Sequence, residues 1–205
     1  MVAKFYHIFK RFFDIIFSFL GLIILSPVIL VIVILIKIDS RGPVFFKQER
    51  AGIDGKTFRL YKLRSMVENA SSLGKLVNEK NDTRVTRLGC FLRKYRLDEI
   101  PQLWNILIGD LTFVGPRPEV PDYVKFYSEE QKNIFKVKPG LFCLSTITYL
   151  NDQDLFDNQG TAEQQYIGKI MPAKIAIDLK YIEGQSFIND FKIFIKVFFR
   201  LFGKQ

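Results

Sequence analysis

From Ile15 to Ile36 the chain runs 22 residues without a charge, and Ser26-Pro27 stands in the middle of that run. Its length suits a helix crossing a hydrocarbon core of about 30 Å. A proline inside a helix removes one hydrogen bond and clashes with the preceding turn, so it kinks or breaks the helix. Each half is then about 11 residues, or roughly 16 Å, which reaches half-way through the core. Both flanks are basic, with Lys4, Lys10 and Arg11 before the run and Lys37, Arg41, Lys47 and Arg50 after it. The positive-inside tendency therefore favours the cytoplasm for both ends. A helical hairpin that enters and leaves by one face satisfies both observations, with the Ser26 hydroxyl available to the backbone freed at the break. On these grounds alone a straight span stands level with it. A cleaved signal peptide is disfavoured, because no small-residue cleavage site follows.

With 205 residues, 48% of them hydrophobic and 25% charged, the chain has the make-up of one folded domain rather than a disordered segment. A net charge of +9 calls for an anionic partner: nucleic acid, an anionic membrane face or a phosphorylated small molecule. Cys90 and Cys143 lack metal-type spacing and read as reduced structural residues. His7 is the only histidine, which argues against histidine catalysis.

Past the apolar run, Pro43 to Gln48 and Thr57 to Tyr61 read as two strands joined through the turn dipeptide Asp54-Gly55. The polar residues 66 to 82 read as a helix and loop, Leu103 to Leu107 and Ser128 to Val137 as short helices, and Phe113 to Pro118 as an irregular loop. At the C-terminus, Lys192, Lys196, Arg200 and Lys204 recur every four residues, while Phe187, Phe191, Phe194, Phe198 and Phe202 form another face. That pattern suits a helix in the membrane interface, and equally a terminal helix packed on the core.

Cations gather around one pair of acids. Lys62, Arg64, Arg84, Arg87, Arg93, Lys94 and Arg96 precede Asp98-Glu99, and Arg117 follows. Arginine forks match phosphate oxygens, so the density fits a phosphate site, with a solvated basic face or a nucleic-acid groove as rivals. Asp98-Glu99 before Pro101 also reads as the N-cap of the helix holding Trp104. The same helix start, with arginines nearby, would keep a carboxylate ionised and attract phosphate. An ionised aspartate beside a phosphoanhydride can act as a nucleophile, and Mg²⁺ can relieve the repulsion of anion by anion.

Eight motifs in order resemble the bacterial sugar transferases, the monotopic phosphoglycosyl transferases. They are Lys10-Arg11-x-x-Asp14, Ser26-Pro27, Gly42-Pro-Val-Phe-Phe-x-Gln48-x-Arg50-x-Gly52, Tyr61-Lys-x-Arg64-Ser-Met66, Arg84-Val-Thr-Arg87-x-Gly89, Leu97-Asp-Glu-Ile-Pro-Gln102, Val114-Gly-Pro-Arg-Pro-Glu119 and Lys138-Pro-Gly140. The resemblance covers about residues 8 to 140. It departs from the family after Gly140, where Leu141-Phe-Cys-Leu-Ser145 replaces the usual Ile-Thr-Gly. Asp178-Leu-Lys-Tyr181 and Asp190-Phe-Lys-Ile193 match later motifs more loosely.

The resemblance implies an α+β fold: a re-entrant membrane hairpin broken at Ser26-Pro27 (residues 1–40), then a mostly helical cytoplasmic catalytic domain (41–205) with a small β-hairpin and interfacial amphipathic helices. It implies transfer of a sugar phosphate from a UDP-sugar to a polyprenol phosphate, with release of UMP, at the cytoplasmic face of the bacterial inner membrane. Asp98 would be the nucleophile, Glu99 its partner and Mg²⁺ ligand, with Asp98 beside the same ion. Arg93 would contact phosphate and Arg117 the nucleotide. Lys62, Arg64 and Arg84 are assigned to phosphate on charge alone. The expected partners are thus UDP-sugar, polyprenol phosphate and the bilayer, with Mg²⁺ as cofactor and no nucleic acid. A basic membrane-anchored module without chemistry is the alternative.

Overall fold

The computed structural model describes residues 2–70, 82–149 and 160–202. Helix α1 (Val2–Asp39) continues through Pro27, where a break was expected. Pro27 has no N–H to offer the Ile23 carbonyl four residues back. Ser26 Oγ donates to that carbonyl at 2.7 Å, as the sequence suggested. Along α1, the residues Asp14, Ser18, Gly21, Leu25, Ile29, Ile32 and Ile36 recur every three or four positions and are buried or half-buried. Its other sides expose Phe12, Phe17, Ile24, Leu30 and Ile34. The helix is long and apolar enough to cross a membrane, yet only 11% of its apolar window is buried within the molecule.

That single stripe docks on the rest of the chain from end to end. Near its start, Lys10 Nζ donates to Asp190 Oδ2 at 2.6 Å, to the Val114 carbonyl at 2.6 Å and to Tyr181 Oη at 3.0 Å. Arg11 donates to the Ile106 and Leu107 carbonyls at 2.5 and 2.7 Å. Asp14 Oδ1 accepts from the Phe113 N–H at 3.0 Å. Near its end, Ile32 and Ile36 pack with Val44, Leu63 and Leu92, and Arg64 Nη2 donates to the Ser40 carbonyl at 2.6 Å. Strands β1 (Phe45–Ala51) and β2 (Thr57–Leu63) pair antiparallel from Phe45↔Leu63 to Ala51↔Thr57. Their turn takes Asp54 and Gly55 into positive φ, as that dipeptide foretold.

Helix α2 (Arg87–Lys94) is capped by Thr86, whose Oγ1 accepts from the Gly89 N–H. A single 3₁₀ turn, Leu97–Glu99, leads to α3 (Gln102–Ile108), which packs Leu103 and Ile106 with Leu60 and Leu111 beneath Leu22 and Leu25 of α1. Buried Asn105 latches α3 to β2: its Nδ2 donates to the Arg59 carbonyl at 2.7 Å and its Oδ1 accepts from the Tyr61 N–H at 3.0 Å. Strand β3 (Thr112–Val114) pairs in parallel with β4 (Gly140–Phe142). Phe113 and Val114, expected in an irregular loop, are therefore strand, and the irregular backbone begins at Gly115.

Short helix α4 (Pro121–Val124) and a 3₁₀ stretch over Gln131–Lys136 lie between β3 and β4, and α5 (Leu144–Thr148) follows. Helix α6 (Ala162–Gln165) passes through a π turn at Tyr166–Ile170 into α7 (Met171–Glu183). Val120, Tyr123, Tyr127, Ile134, Met171 and Ile175 form the core there. Helix α8 (Phe187–Phe202) buries Ile193 and Val197 against Val114 and Tyr181 while exposing Phe187, Ile188, Phe191 and Phe199. One face of this helix is thus packed on the core, as the second reading had it, and another carries exposed apolar side chains. Lys192 and Lys196 are exposed. The Arg200 side chain, Lys204 and residues 71–81 lie outside the described residues.

Candidate active site

Asp98 and Glu99 sit on the 3₁₀ turn between α2 and α3, not at a helix N-cap: α3 starts at Gln102, and Pro101 caps it without a side-chain bond. Arg96 enters that turn in the left-handed region, φ 52 and ψ 26, where glycine would be relaxed. An arginine stands there because its guanidinium has a task, donating from Nη1 to Glu99 Oε2 at 3.3 Å. Lys62, delivered by β2, donates to the other oxygen, Glu99 Oε1, at 3.2 Å. Both partners are nearly enclosed, with side chains 19% and 12% exposed, so little solvent screens the pair.

The two neighbouring acids are pushed apart. Burial drives the Asp98 carboxyl up to about 6, with Lys62 pulling against it and Glu99 adding to it. For Glu99, burial also pushes up, but Lys62, Arg96 and Arg117 outweigh it and hold the carboxyl well below its ordinary range. Asp98 is 6% exposed and accepts no hydrogen bond among the described residues. The result is one firmly ionised, ion-paired acid beside one whose lone pairs are open.

Two more expected cations join this cluster. Arg93, in the last turn of α2, is anchored by Nε on Ser65 Oγ at 2.9 Å and acts electrostatically on Asp98. The Arg117 guanidinium donates no hydrogen bond among the described residues; burial opposes its charge, and Glu99 first among the nearby anions favours it. Two others do not join. Arg64 holds the C-terminal end of α1 through Ser40, and Arg84 grips Asp82 through Nε at 2.8 Å and Nη2 at 2.6 Å. Ser26 and Pro27 lie on the exposed part of α1.

The family model of the bacterial sugar transferases matches residues 5–204. The chain belongs to the bacterial sugar transferases. It is 40% identical over 195 residues to a UDP-glucose:undecaprenyl-phosphate glucose-1-phosphate transferase of Klebsiella pneumoniae, covering 93% of this chain and 40% of that protein. It is 48% identical over 121 residues to a putative undecaprenyl-phosphate N-acetylgalactosaminyl 1-phosphate transferase of Bacillus subtilis, covering 59% of this chain and 68% of the relative. A third relative, the sugar transferase EpsL of Bacillus subtilis, is 36% identical over 186 residues, 91% of this chain and 83% of its own length.

In this transferase the loop bearing Arg117 is clamped by residues that carried no assigned role. Arg50 Nη1 donates to the Pro118 carbonyl at 3.1 Å, Ala51 N–H to the Glu119 carbonyl at 2.8 Å, and Asp178 Oδ2 accepts from the Arg117 N–H at 3.1 Å. Arg50 and Asp178 lie inside quoted motifs, so the signal was present, but their task depends on contacts 68 and 61 residues away. Arg96 was counted only as a member of a charge run.

Two classes of arginine should therefore behave differently. Arg117→Ala and Arg93→Ala are expected to cost the transferase about 30- to 1000-fold in turnover, the range for losing a charge-stabilising donor. Arg84→Ala, which orphans Asp82, should lower the unfolding midpoint and leave kcat/KM within about threefold. Steady-state kinetics beside thermal melts separates the two, and equal kinetic losses at all three positions would refute the division.

Proposed function

We propose that the chain transfers a sugar 1-phosphate from a UDP-sugar to a polyprenol phosphate, as the step that starts a bacterial surface glycan on its lipid carrier. The observation that carries this reading is the open, buried Asp98 beside an ion-paired Glu99, within a shell of Lys62, Arg93, Arg96 and Arg117. Undecaprenyl phosphate and UDP-glucose appear in the name of the Klebsiella relative, which supports these substrate classes.

An Asp98 oxygen attacks the sugar-bearing β-phosphorus, the bond from that phosphorus to the bridging oxygen breaks, and UMP leaves with the electron pair. The polyprenol phosphate oxygen then attacks the same phosphorus and returns Asp98 as a carboxylate. Arg93 and Arg117 hold phosphate oxygens in line, and Lys62 and Arg96 fix Glu99. Among the described residues no three His, Cys, Asp or Glu side chains converge. Two carboxylates fit a Mg²⁺ completed by substrate phosphates, since each Glu99 oxygen keeps a second lone pair. Bound there, the ion would neutralise charge on the phosphates.

The test is a single turnover without acceptor. Given UDP-sugar and Mg²⁺, purified enzyme should release about one UMP per site and gain the mass of one phosphosugar, lost again on adding polyprenol phosphate. UMP release that waits for both substrates would rule the two-step scheme out.

The same reading places both ends of α1 on the cytoplasmic side of the inner membrane, with the helix re-entrant or lying along the interface. Support comes from the docked stripe, since Lys10 and Ile36 contact one body. Trp104, Ile108, Phe91 and Phe191 on other helices are exposed as well, apolar side chains suited to a membrane interface. Cysteines placed at residues 4 and 41 should both resist labelling from the periplasm. Labelling of only one of them would mean a straight span.

A further inference from the structure

A cavity of about 310 Å³ opens at the N-terminal part of α1. It is lined by His7, Arg11 and Asp14 from α1 and by Lys136 and Lys138 from the segment leading into β4. Lys10 also lines it but is neutralised by Asp190 at 2.6 Å. The Lys136 and Lys138 side chains make no ion pair or hydrogen bond among the described residues, although Asp14 and Asp110 act on Lys138 through space. An alanine methyl at Gly109 would lie 3.2 Å from Arg11 Nη2 and 3.3 Å from Lys138 Nζ, so those two cations face one another across a small gap. Asp14 Oδ1 is engaged by the Phe113 N–H, and nearby Asp110 Oδ2 by Asn105. Cations therefore outnumber anions in a partly enclosed space, which favours an anion there.

We infer that this cavity binds the phosphodiester head group of an anionic membrane phospholipid. Exposed Ile53 lines the cavity, and exposed Ile8 and Ile15 stand three and four residues from Arg11 on the same side of α1, an apolar margin suited to acyl chains. None of the lining residues belongs to the cluster around Asp98, so the cavity is separate from the place where the acceptor phosphate must react. The inference rests on the membrane association proposed above and is independent of the transfer chemistry.

Native mass spectrometry of the full chain in a neutral detergent tests it, with short-chain phosphatidylglycerol, the matching phosphatidylcholine, inorganic phosphate and farnesyl phosphate as probes. Phosphatidylglycerol should bind at least about tenfold more tightly than phosphatidylcholine. At about fivefold per lysine near an anionic lipid, Lys136→Gln with Lys138→Gln should weaken it about 25-fold, whereas Lys192→Gln with Lys196→Gln on α8 should not. Lys136→Glu alone, on an exposed side chain, covers the case in which the double variant fails to fold, with an expected loss of at least about fivefold. Equal binding of the two phospholipids, or no loss in the Lys136 and Lys138 variants, overturns the inference. So does displacement by equimolar inorganic phosphate, which marks a soluble-anion site, or tighter binding of farnesyl phosphate lost in the same variants, which marks an acceptor site. Vesicle flotation of wild-type protein reads the membrane association separately.

Discussion

Asp98→Asn should leave a folded, membrane-bound protein that forms no phosphosugar adduct and turns over at least about 10³-fold more slowly, the scale seen when a covalent nucleophile is removed. Stability gives a second readout with the opposite sign. Burial disfavours the charged form of Asp98, and its open lone pairs recover little of that cost. A neutral amide of the same shape removes it, so the melting temperature of Asp98→Asn should equal or exceed that of wild type at neutral pH. Glu99→Gln should do the reverse. Taking away the anion strips half-buried Lys62 and Arg96 of their ion-pair partner and leaves them only Asp98 nearby, at about 3 kcal/mol, the lower end for a broken buried pair, and adduct formation should suffer with it. An Asp98→Asn protein that melts earlier and still turns over would mean that the acid is structural. The pH dependence carries the same signature. Asp98 must be ionised to attack and its carboxyl is raised to about 6, so the rate of the first UMP should fall as pH drops through about 6. An ordinary aspartate would hold its rate to about pH 4.

The elements that local chemistry specifies were legible in the sequence. Asp54-Gly55 announced the β-hairpin, the uncharged run announced α1, and the four-residue charge step announced α8. What escaped was whatever distant contacts decide. Pro27 suggested a break because a lost hydrogen bond is a local fact, yet Ser26 and the packing of both flanking stretches on one body keep the helix continuous. Val114 looked like loop because two prolines follow, but pairing with Phe142 makes it strand. In the site, counting charge set Lys62, Arg93 and Arg117, which gather at the acid pair, level with Arg64 and Arg84, which pair elsewhere. The difference lies in partners: Ser40 lies 24 residues before Arg64, and Asp82 sits two residues before Arg84 and takes its guanidinium. Arg96 could have been noticed by its position two residues after the end of α2, where a backbone reversal was needed and no glycine was present.

Gly89 offers the second large effect, because local and tertiary physics predict opposite signs for it. It occupies the third position of α2, and replacing a helical glycine by alanine ordinarily stabilises by about 1 kcal/mol. Here a methyl on Gly89 would stand 1.9 Å from the Ser65 carbonyl oxygen and 2.7 Å from its carbon. Both are backbone atoms, held by the Thr86 N–H, which donates to that same oxygen at 3.1 Å. Ordinary contact needs more than 1 Å of extra room, and neither side has a flexible tip that can yield. Helix α2 must therefore lift away from Ser65, taking Arg93 off the Ser65 hydroxyl and moving the turn that bears Asp98 and Glu99. Gly89→Ala should thus destabilise by about 3 kcal/mol, the upper range for overpacking, lowering the melting temperature by about 6–12 °C. A misplacement of about 1 Å at the reacting groups should cost a further factor of about 100 in turnover, measured well below the new midpoint. A Gly89→Ala enzyme more stable than wild type and equally fast would show that α2 does not rest on the Ser65 backbone, and with it the placement of Arg93 would fall.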